Sequence, residues 1–342
     1  MEVVRTLLDN GVTQLAVSKL DEAIQIRKMG IGVPILIFGY TDPSRAEEII
    51  MNDVTQAVFS QEMARVLSRA AVKLCRNAKI HVKLDTGMAR VGFVPGQGAL
   101  QSILEIGKLP GLMIEGLFTH FASADETERD YTVMQFERYM DVCRQLGRLG
   151  LHIPLRHVCN SAGIMQYPQM HLDMVRPGII LYGLYPSRQV DREKISLRPA
   201  MTLKASVILV KDVEQGACVS YGRTFRTSRP SRIATIPIGY ADGYTRLLSN
   251  KGRMLVNGEY APVVGRICMD QCMIDVTDLK REVRVGDEVV IFGSRNGACI
   301  SVDEVADDIG TISYEMVCII GKRIPRVYLK GGRISSVLNY LI

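Results

Sequence analysis

Several runs that otherwise read as buried strands carry polar residues able to do chemistry. "HVKLDTG" holds Lys83 and Asp85, with Arg90 just beyond it in "GMAR". "GLFTH" ends on His120, "LRHVCNS" on Asn160 and Ser161, and Arg176 interrupts the apolar "MVRPGII". One polar residue in a strand is ordinarily a satisfied core group. Placed at the same end of several strands, such groups read together as a site. Arg176 must have an acceptor, because a guanidinium does not shed its charge. Two readings stand for it: a buried pair with Asp173, or a hydrogen bond to a ring nitrogen or carboxylate of a ligand. The steps at 159–161 and 176–179 suit a phosphate, since backbone N–H groups after late barrel strands form an anion cup and Gly178 permits close approach.

Further along, "SYG" (220–222) sets Tyr221 where it could project from a turn, and "IGYADGYTR" (238–246) and "GRICMDQCM" (265–273) are dense in polar groups for strand-like sequence. Each is weak by itself, because most tyrosines of β domains are core residues with a tethered hydroxyl.

The elements that must position these residues alternate. Strands are expected at 14–18, 35–40, 56–60, 79–87, 116–121, 155–161 and 174–183, with helical patterns between them and a long helix through 130–149. Near-continuous apolar strands alternating with helices predict a parallel sheet covered by helices. Seven strands are counted where a closed (β/α)8 barrel uses eight. In front stands a helix over 1–10, with Val3, Val4, Leu7 and Leu8 as its apolar face, which has no strand before it. The fold class expected is α/β: a (β/α)8-type barrel with its first strand missing, over residues 1–190, then a mostly antiparallel β domain over 196–342. The polar "YPSRQVDREKISLRP" (185–199) marks the boundary, Asn257-Gly258 marks a hairpin, and helical pattern returns briefly at 301–310.

Composition narrows the function. Of 342 residues, 47% are hydrophobic and 23% charged, a globular balance. The net charge of +6 is spread over the chain, and its densest basic stretch, "LKREVR" (279–284), is broken by Glu282 and lacks aromatic neighbours, so no nucleic-acid partner is assigned. No apolar run approaches the roughly 18 residues of a membrane helix. The eight cysteines lack CxxC pairs and framework spacing, which places the chain in a reducing cytoplasm. A hydrolytic metal site from His120, His157 and Asp125 would need HxH or HxxxH spacing that is absent, so no metal is assigned.

Taken together, "HVKLDTGMARVGF", "THFASADE", "VCNSAG", "MVRPGIILYG", "VSYGRTF", "IGYADGYTR", "GRICMDQ" and "TISYE" resemble the alanine racemase family in order and approximate spacing, over essentially the whole chain. The resemblance implies a barrel holding pyridoxal 5'-phosphate and a head-to-tail homodimer whose sites are completed by the partner's β domain. The activity implied is interconversion of L- and D-alanine, supplying D-alanine for cell-wall peptidoglycan. By motif, Arg176 would face the pyridine nitrogen and His120 support the ring. Ser161, Gly178, Ile179 and Tyr314 would bind the phosphate. Arg90 would lie near the ring oxygen and substrate carboxylate, oriented by a carbamylated Lys83. From the partner subunit would come Tyr221 as a base, with Met269 and Asp270 near the substrate carboxylate, while Tyr240 and Arg246 line the entrance.

The chemistry suits these residue types. Racemisation removes the α-proton from one face and returns one to the other, so two bases flank the cofactor plane. An arginine at the ring nitrogen will not protonate it, and a phenol, ordinarily ionising near 10, needs cations beside it to act as a base. The resemblance places the first barrel strand, and the lysine that forms the Schiff base and serves as second base, before "MEVVRTLL". The chain read alone is therefore expected to lack that lysine and not to racemise at an enzymatic rate. Three alternatives remain: a serine/alanine racemase domain of a larger protein, a non-catalytic pyridoxal-phosphate-binding protein, and a fold-related decarboxylase. The decarboxylases present a carboxylate where this chain has Arg176, and an intact "SYG" and "CMD" favour an enzyme.

Overall fold

Short apolar runs form the strands of the first half, and the inner ones, over Ile35–Ile37 and Thr55–Val58, are covered on both faces. The computed structural model describes residues 2–342. Along the chain come α1 (Glu2–Asp9), β1 (Leu15–Val17), α2 (Leu20–Lys28), β2 (Ile35–Ile37), α3 (Ala46–Met51), β3 (Thr55–Val58), α4 (Gln61–Lys73), β4 (Ala78–Lys83), α5 (Gln97–Gly107), β5 (Leu112–Phe118), α6 (Asp130–Arg148), β6 (Leu155–His157) and α7 (Ser161–Gln166). The six strands make one sheet in chain order, and every pairing is parallel. Every residue of β2 and β3 is buried, as parallel strands under helices require. The longer helices turn a 3.6-residue stripe inward. In α4, Met63, Ala64, Leu67, Ala70 and Ala71 are buried, and the Ser60 hydroxyl caps the helix by accepting from Met63 N at 3.2 Å.

Several sequence expectations are corrected here. The run 174–183 is not a seventh strand. Arg176 N donates to Cys159 O at 3.0 Å, but Pro177 has no N–H to continue a ladder, and Ile179–Tyr182 winds into a 3₁₀ turn. The run 155–161 stops as a strand at His157, because Asn160 caps α7 by accepting from Gly163 N at 2.9 Å. In α1, Val4 and Leu7 pack on the core, whereas Val3 is 41% exposed and lies off that face.

The chain divides into two units, the first running to Leu181 and adding Tyr185–Ser196, the second comprising Tyr182–Leu184 and Leu197–Ile342. The second is built from β7 (Leu203–Ser206), β8 (Leu209–Val213), β9 (Cys218–Val219), β10 (Phe225–Arg226), β11 (Ser231–Ile236), β12 (Arg253–Val256), β13 (Glu259–Pro262), β14 (Cys272–Asp275), β15 (Glu288–Arg295) and β16 (Ala298–Ile300). After them come α8 (Val302–Asp307), α9 (Ser313–Cys318), β17 (Arg326–Lys330) and β18 (Arg333–Leu338). All its pairings are antiparallel, with β11 between β14 and β8 in one sheet and β12, β13, β15, β16 and β7 in another. Asn257 and Gly258, with φ of 55° and 90°, close the two-residue β12–β13 hairpin by the primed turn that only such residues adopt easily. The apolar run 201–213 reads as one strand but serves two sheets, breaking at Val207 and Ile208. Helix α9, which holds Tyr314, lies outside the helical pattern legible in the sequence.

Candidate active site

The ends of the parallel strands gather the first group of candidate side chains. Lys83 closes β4 and is 5% exposed, and its Nζ stands 5.2 Å from the ring centroid of Phe118. Arg176 approaches the same ring at 5.5 Å and Phe38 at 5.9 Å. Its guanidinium donates to His157 Nδ1 at 2.8 Å, Thr119 O at 2.8 Å and Val158 O at 2.9 Å. The pair with Asp173 is not formed, because that carboxylate binds Arg156 Nε at 2.8 Å instead. Arg176 is thus held by neutral acceptors alone, and its charge stays available to a ligand.

His120 lies among these cations. Burial, then Arg176, Lys83 and Arg90, push its pKa down to about 3, so the imidazole is neutral. Its Nε2 lies 3.5 Å from Asn160 Nδ2, which also reaches Phe121 O at 3.3 Å. Burial, with Arg90 and Arg176 adding repulsion, lowers Lys83 to about 8. Asp85 works as a loop organiser, accepting from Gly87, Ala89 and Arg90 N–H groups at 3.1, 3.0 and 3.0 Å, and so carries Arg90. Ser161, 4% exposed, opens α7 beside the 176–179 strap, and its hydroxyl accepts from Gly178 N at 2.9 Å. Ile179 follows, buried, at the start of the 3₁₀ turn.

The second unit gathers the other group. Tyr221 is 69% exposed on a turn whose Ser220, Gly222 and Arg223 all have positive φ, at 64°, 68° and 50°. Such a run of left-handed backbone persists only where the surroundings hold it. Here Ser220 Oγ donates to Arg266 O at 2.5 Å. Two further loops fasten to the same segment. Tyr240 N and Ala241 N donate to Cys268 O and Met269 O at 3.1 and 3.0 Å, an approach so close that a Cβ on Gly239 would fall 2.3 Å from both carbonyl oxygens. Ser249 Oγ donates to Arg246 O at 2.6 Å and accepts from Ile267 N at 3.0 Å. Residues 266–270 therefore collect Tyr221, Tyr240, Arg246, Met269 and Asp270 on one framework. Tyr314 is half-buried in the first turn of α9. Among the described residues, no group of three or more His, Cys, Asp or Glu side chains is placed to hold a metal ion.

Sequence reasoning passed over His81 and Phe118 as site residues, treated His157 only as a metal candidate, and passed over Arg266 and Arg323. The first had a legible signal: His81 and Lys83 are two apart in a strand and share a face. The others are brought to the site by pairings distant in sequence.

Residues 1–186 match the family described as alanine racemase, N-terminal domain, and residues 200–328 match alanine racemase, C-terminal domain. The chain belongs to the alanine racemase family. An alanine racemase of Clostridium novyi is 47% identical over 341 residues, covering 100% of this chain and 88% of the relative. Alanine racemase 1 of Clostridium acetobutylicum is 48% identical with the same coverage. Among solved structures, the alanine racemase of Clostridium difficile 630 superposes with a TM-score of 0.95 at 43% identity, over 100% of this chain and 88% of that one. The Bacillus anthracis alanine racemase with bound L-Ala-P superposes at 0.93 and 36% identity, over 99% and 86%. An enzyme of this family is an isomerase, built as a TIM-like barrel with a C-terminal β domain, and the family depends on pyridoxal phosphate. No described helix is long and apolar enough to cross a membrane.

Proposed function

We propose that the cationic cluster of the first unit holds pyridoxal 5'-phosphate for the interconversion of L- and D-alanine. The observation that carries this reading is the donor set: the charges of Arg176, Lys83 and Arg90 all act on His120, and the guanidinium of Arg176 is met by neutral acceptors only. Such a site fits an anionic ligand with a ring acceptor. Arg176 would donate to the ring nitrogen, His120 would lie against the ring, and Ser161, Gly178, Ile179 and Tyr314 would hold the phosphate. The cofactor, when bound, supplies the electron sink that makes the α-proton of an amino acid removable.

The chain's own residues supply the rest. Arg176 donates hydrogen bonds and keeps its protons, so it would hold the ring nitrogen without protonating it. Arg90, with Met269 and Asp270 of the partner subunit, orients the substrate carboxylate. Tyr221 of the partner subunit takes and returns a proton on one face of the α-carbon. Tyr240 and Arg246 border the entrance, and a carbamate on Lys83 would turn that cation into a negative partner for Arg90. The homodimer is supported by the exposure of Tyr221 on a strained, anchored turn. A cytoplasmic setting is supported by eight cysteines that are all free thiols.

Titration with pyridoxal phosphate tests the reading. Bound-cofactor absorbance is expected to saturate, and Arg176→Glu is expected to weaken binding at least tenfold. Equal binding by wild type and Arg176→Glu would overturn the assignment of the site.

A further inference from the structure

Arg176, His157 and His81 form a hydrogen-bonded line through the first unit. Arg176 Nη1 lies 2.8 Å from His157 Nδ1, and His157 Nε2 lies 2.9 Å from His81 Nδ1. Both imidazoles are buried, at 0% and 2% exposure. Arginine has only protons to give, so His157 Nδ1 must be bare. A neutral imidazole carries one N–H, and on His157 it must then sit on Nε2, facing His81. His81 Nδ1 has to accept it, which leaves the His81 proton on Nε2. No other assignment makes both bonds. The opposite tautomer of His157 would set N–H against N–H at the guanidinium and lose that contact, and would keep the bond to His81 only if His81 moved its own proton to Nδ1.

The surroundings are shaped for this line. Gly116 lies opposite His81 in the β4–β5 register, and a Cβ there would fall 2.5 Å from His81 Nδ1. Space, not backbone freedom, demands glycine at that position. Burial, with Arg176 beside them, lowers the pKa of His81 to about 4 and of His157 well below its ordinary value, so both rings are neutral at pH 7. His81 also lines a cavity of ≈ 220 Å³ with Thr55 and Glu115 near the opposite ends of the strands, where its Nε2–H has room for a solvent partner.

We propose that His81 is a positioning residue for Arg176: its Nδ1 locks His157 in the tautomer that accepts from the guanidinium, and so fixes how the remaining guanidinium N–H groups are presented to the ring. The proposal rests on the reading that Arg176 faces the cofactor ring, but the tautomers are a property of the cofactor-free protein.

Nitrogen-15 spectra of histidine-labelled, cofactor-free protein test it first. Both His81 and His157 are expected to carry the proton on Nε2; an Nδ1 proton on either overturns the proposal without any variant. His81→Phe keeps the ring and removes the acceptor, and Gly116→Ala crowds His81. Each is expected to mix the His157 tautomers and shift the absorbance band of bound pyridoxal phosphate. In protein that carries the lysine-bearing first strand of the family, each should also lower kcat about tenfold with little change in KM, the rate equivalent of one hydrogen bond. His81→Asn, whose amide oxygen stands where Nδ1 stood, is expected to restore both tautomer and rate. An unchanged His157 tautomer in Gly116→Ala and His81→Phe, or an unchanged band and rate despite a changed tautomer, would count against His81. Should His81→Phe fail to fold, the wild-type spectrum and Gly116→Ala decide. Wild-type tautomers as drawn in a protein that binds no pyridoxal phosphate would instead sink the assignment of the site.

Discussion

The phenyl ring of Phe118 stacks face to face on the imidazole of His157, with centroids 4.8 Å apart and planes within 3° of parallel. The same ring receives the Lys83 ammonium and the Arg176 guanidinium. Phe118→Leu keeps an apolar filling but removes the π face under two cations and one imidazole. It is expected to lower unfolding free energy by about 1–2 kcal/mol and to weaken pyridoxal phosphate binding. Urea unfolding and cofactor titration check it; wild-type values in both would show that the ring serves only as filler.

Lys83 titrates near 8, chiefly because it is buried. Between about 8 and the ordinary 10.5, the unfolded chain holds a proton that the folded chain lacks, so this group makes stability rise with pH across that window. Lys83→Met is expected to remove that part of the slope. The same neutral amine is available to carbon dioxide: exposure to ¹³C-bicarbonate should give a carbamate signal that grows as pH passes 8 and is absent in Lys83→Met. A signal of equal size in the variant would place the carbamate elsewhere.

Arg323 bridges two carboxylates, Asp270 at 2.8 Å and Asp242 at 3.4 Å, but the two are not equivalent. Asp242 is buried and accepts from Gly239 N at 3.0 Å, whereas Asp270 is largely exposed. Asp242→Ala should therefore cost about 1–3 kcal/mol by orphaning a buried N–H. Asp270→Ala should cost less than about 1 kcal/mol, as exposed pairs do. Chemical denaturation of both variants distinguishes them, and equal costs would refute the ranking.

A site shared between subunits can be complemented. In protein that carries the lysine-bearing first strand of the family, Tyr221→Phe and Arg176→Glu chains are each expected to be inactive, and mixed dimers should recover one good site per pair. Activity measured against the mixing ratio checks this. No recovery in the presence of demonstrated subunit exchange would mean that Tyr221 does not act across the dimer.

Alanine should be preferred to serine. Tyr314 keeps a bulky phenol in the group expected to hold the phosphate, and a smaller residue there would leave more room for a hydroxymethyl side chain. In protein that carries the lysine-bearing first strand of the family, the kcat/KM ratio for L-alanine over L-serine is expected to exceed unity and to fall in Tyr314→Ser. Equal kcat/KM values in the wild type would remove the argument.

Much of the site was legible as residue identities. Lys83, His120, Ser161 and Arg176 stood out as polar groups in apolar runs, and Tyr221, Tyr240 and Met269 as members of dense polar segments. Their partners were not legible. Asp173, three residues from Arg176, was the near acceptor in sequence, yet the guanidinium reaches Thr119 O, 57 residues away, and Asp173 turns to Arg156. His81 and His157, 76 residues apart, meet only because both strands flank β5 in one parallel sheet.

By itself the sequence determined the alternation of apolar strands and helices, the change to antiparallel strands after 195, the Asn257-Gly258 hairpin, and the chemical types available to the site. These are local properties, set by side-chain periodicity and by backbone conformations that particular residues favour. Tertiary structure decided where each strand stops, that 174–183 is a strap instead of a seventh strand, and that residues 266–270 anchor three loops at once. Those outcomes depend on hydrogen bonds between segments far apart in the chain. A carbonyl or an imidazole nitrogen becomes a partner only when strand register brings it within about 3 Å in the right orientation, and no local pattern encodes that distance.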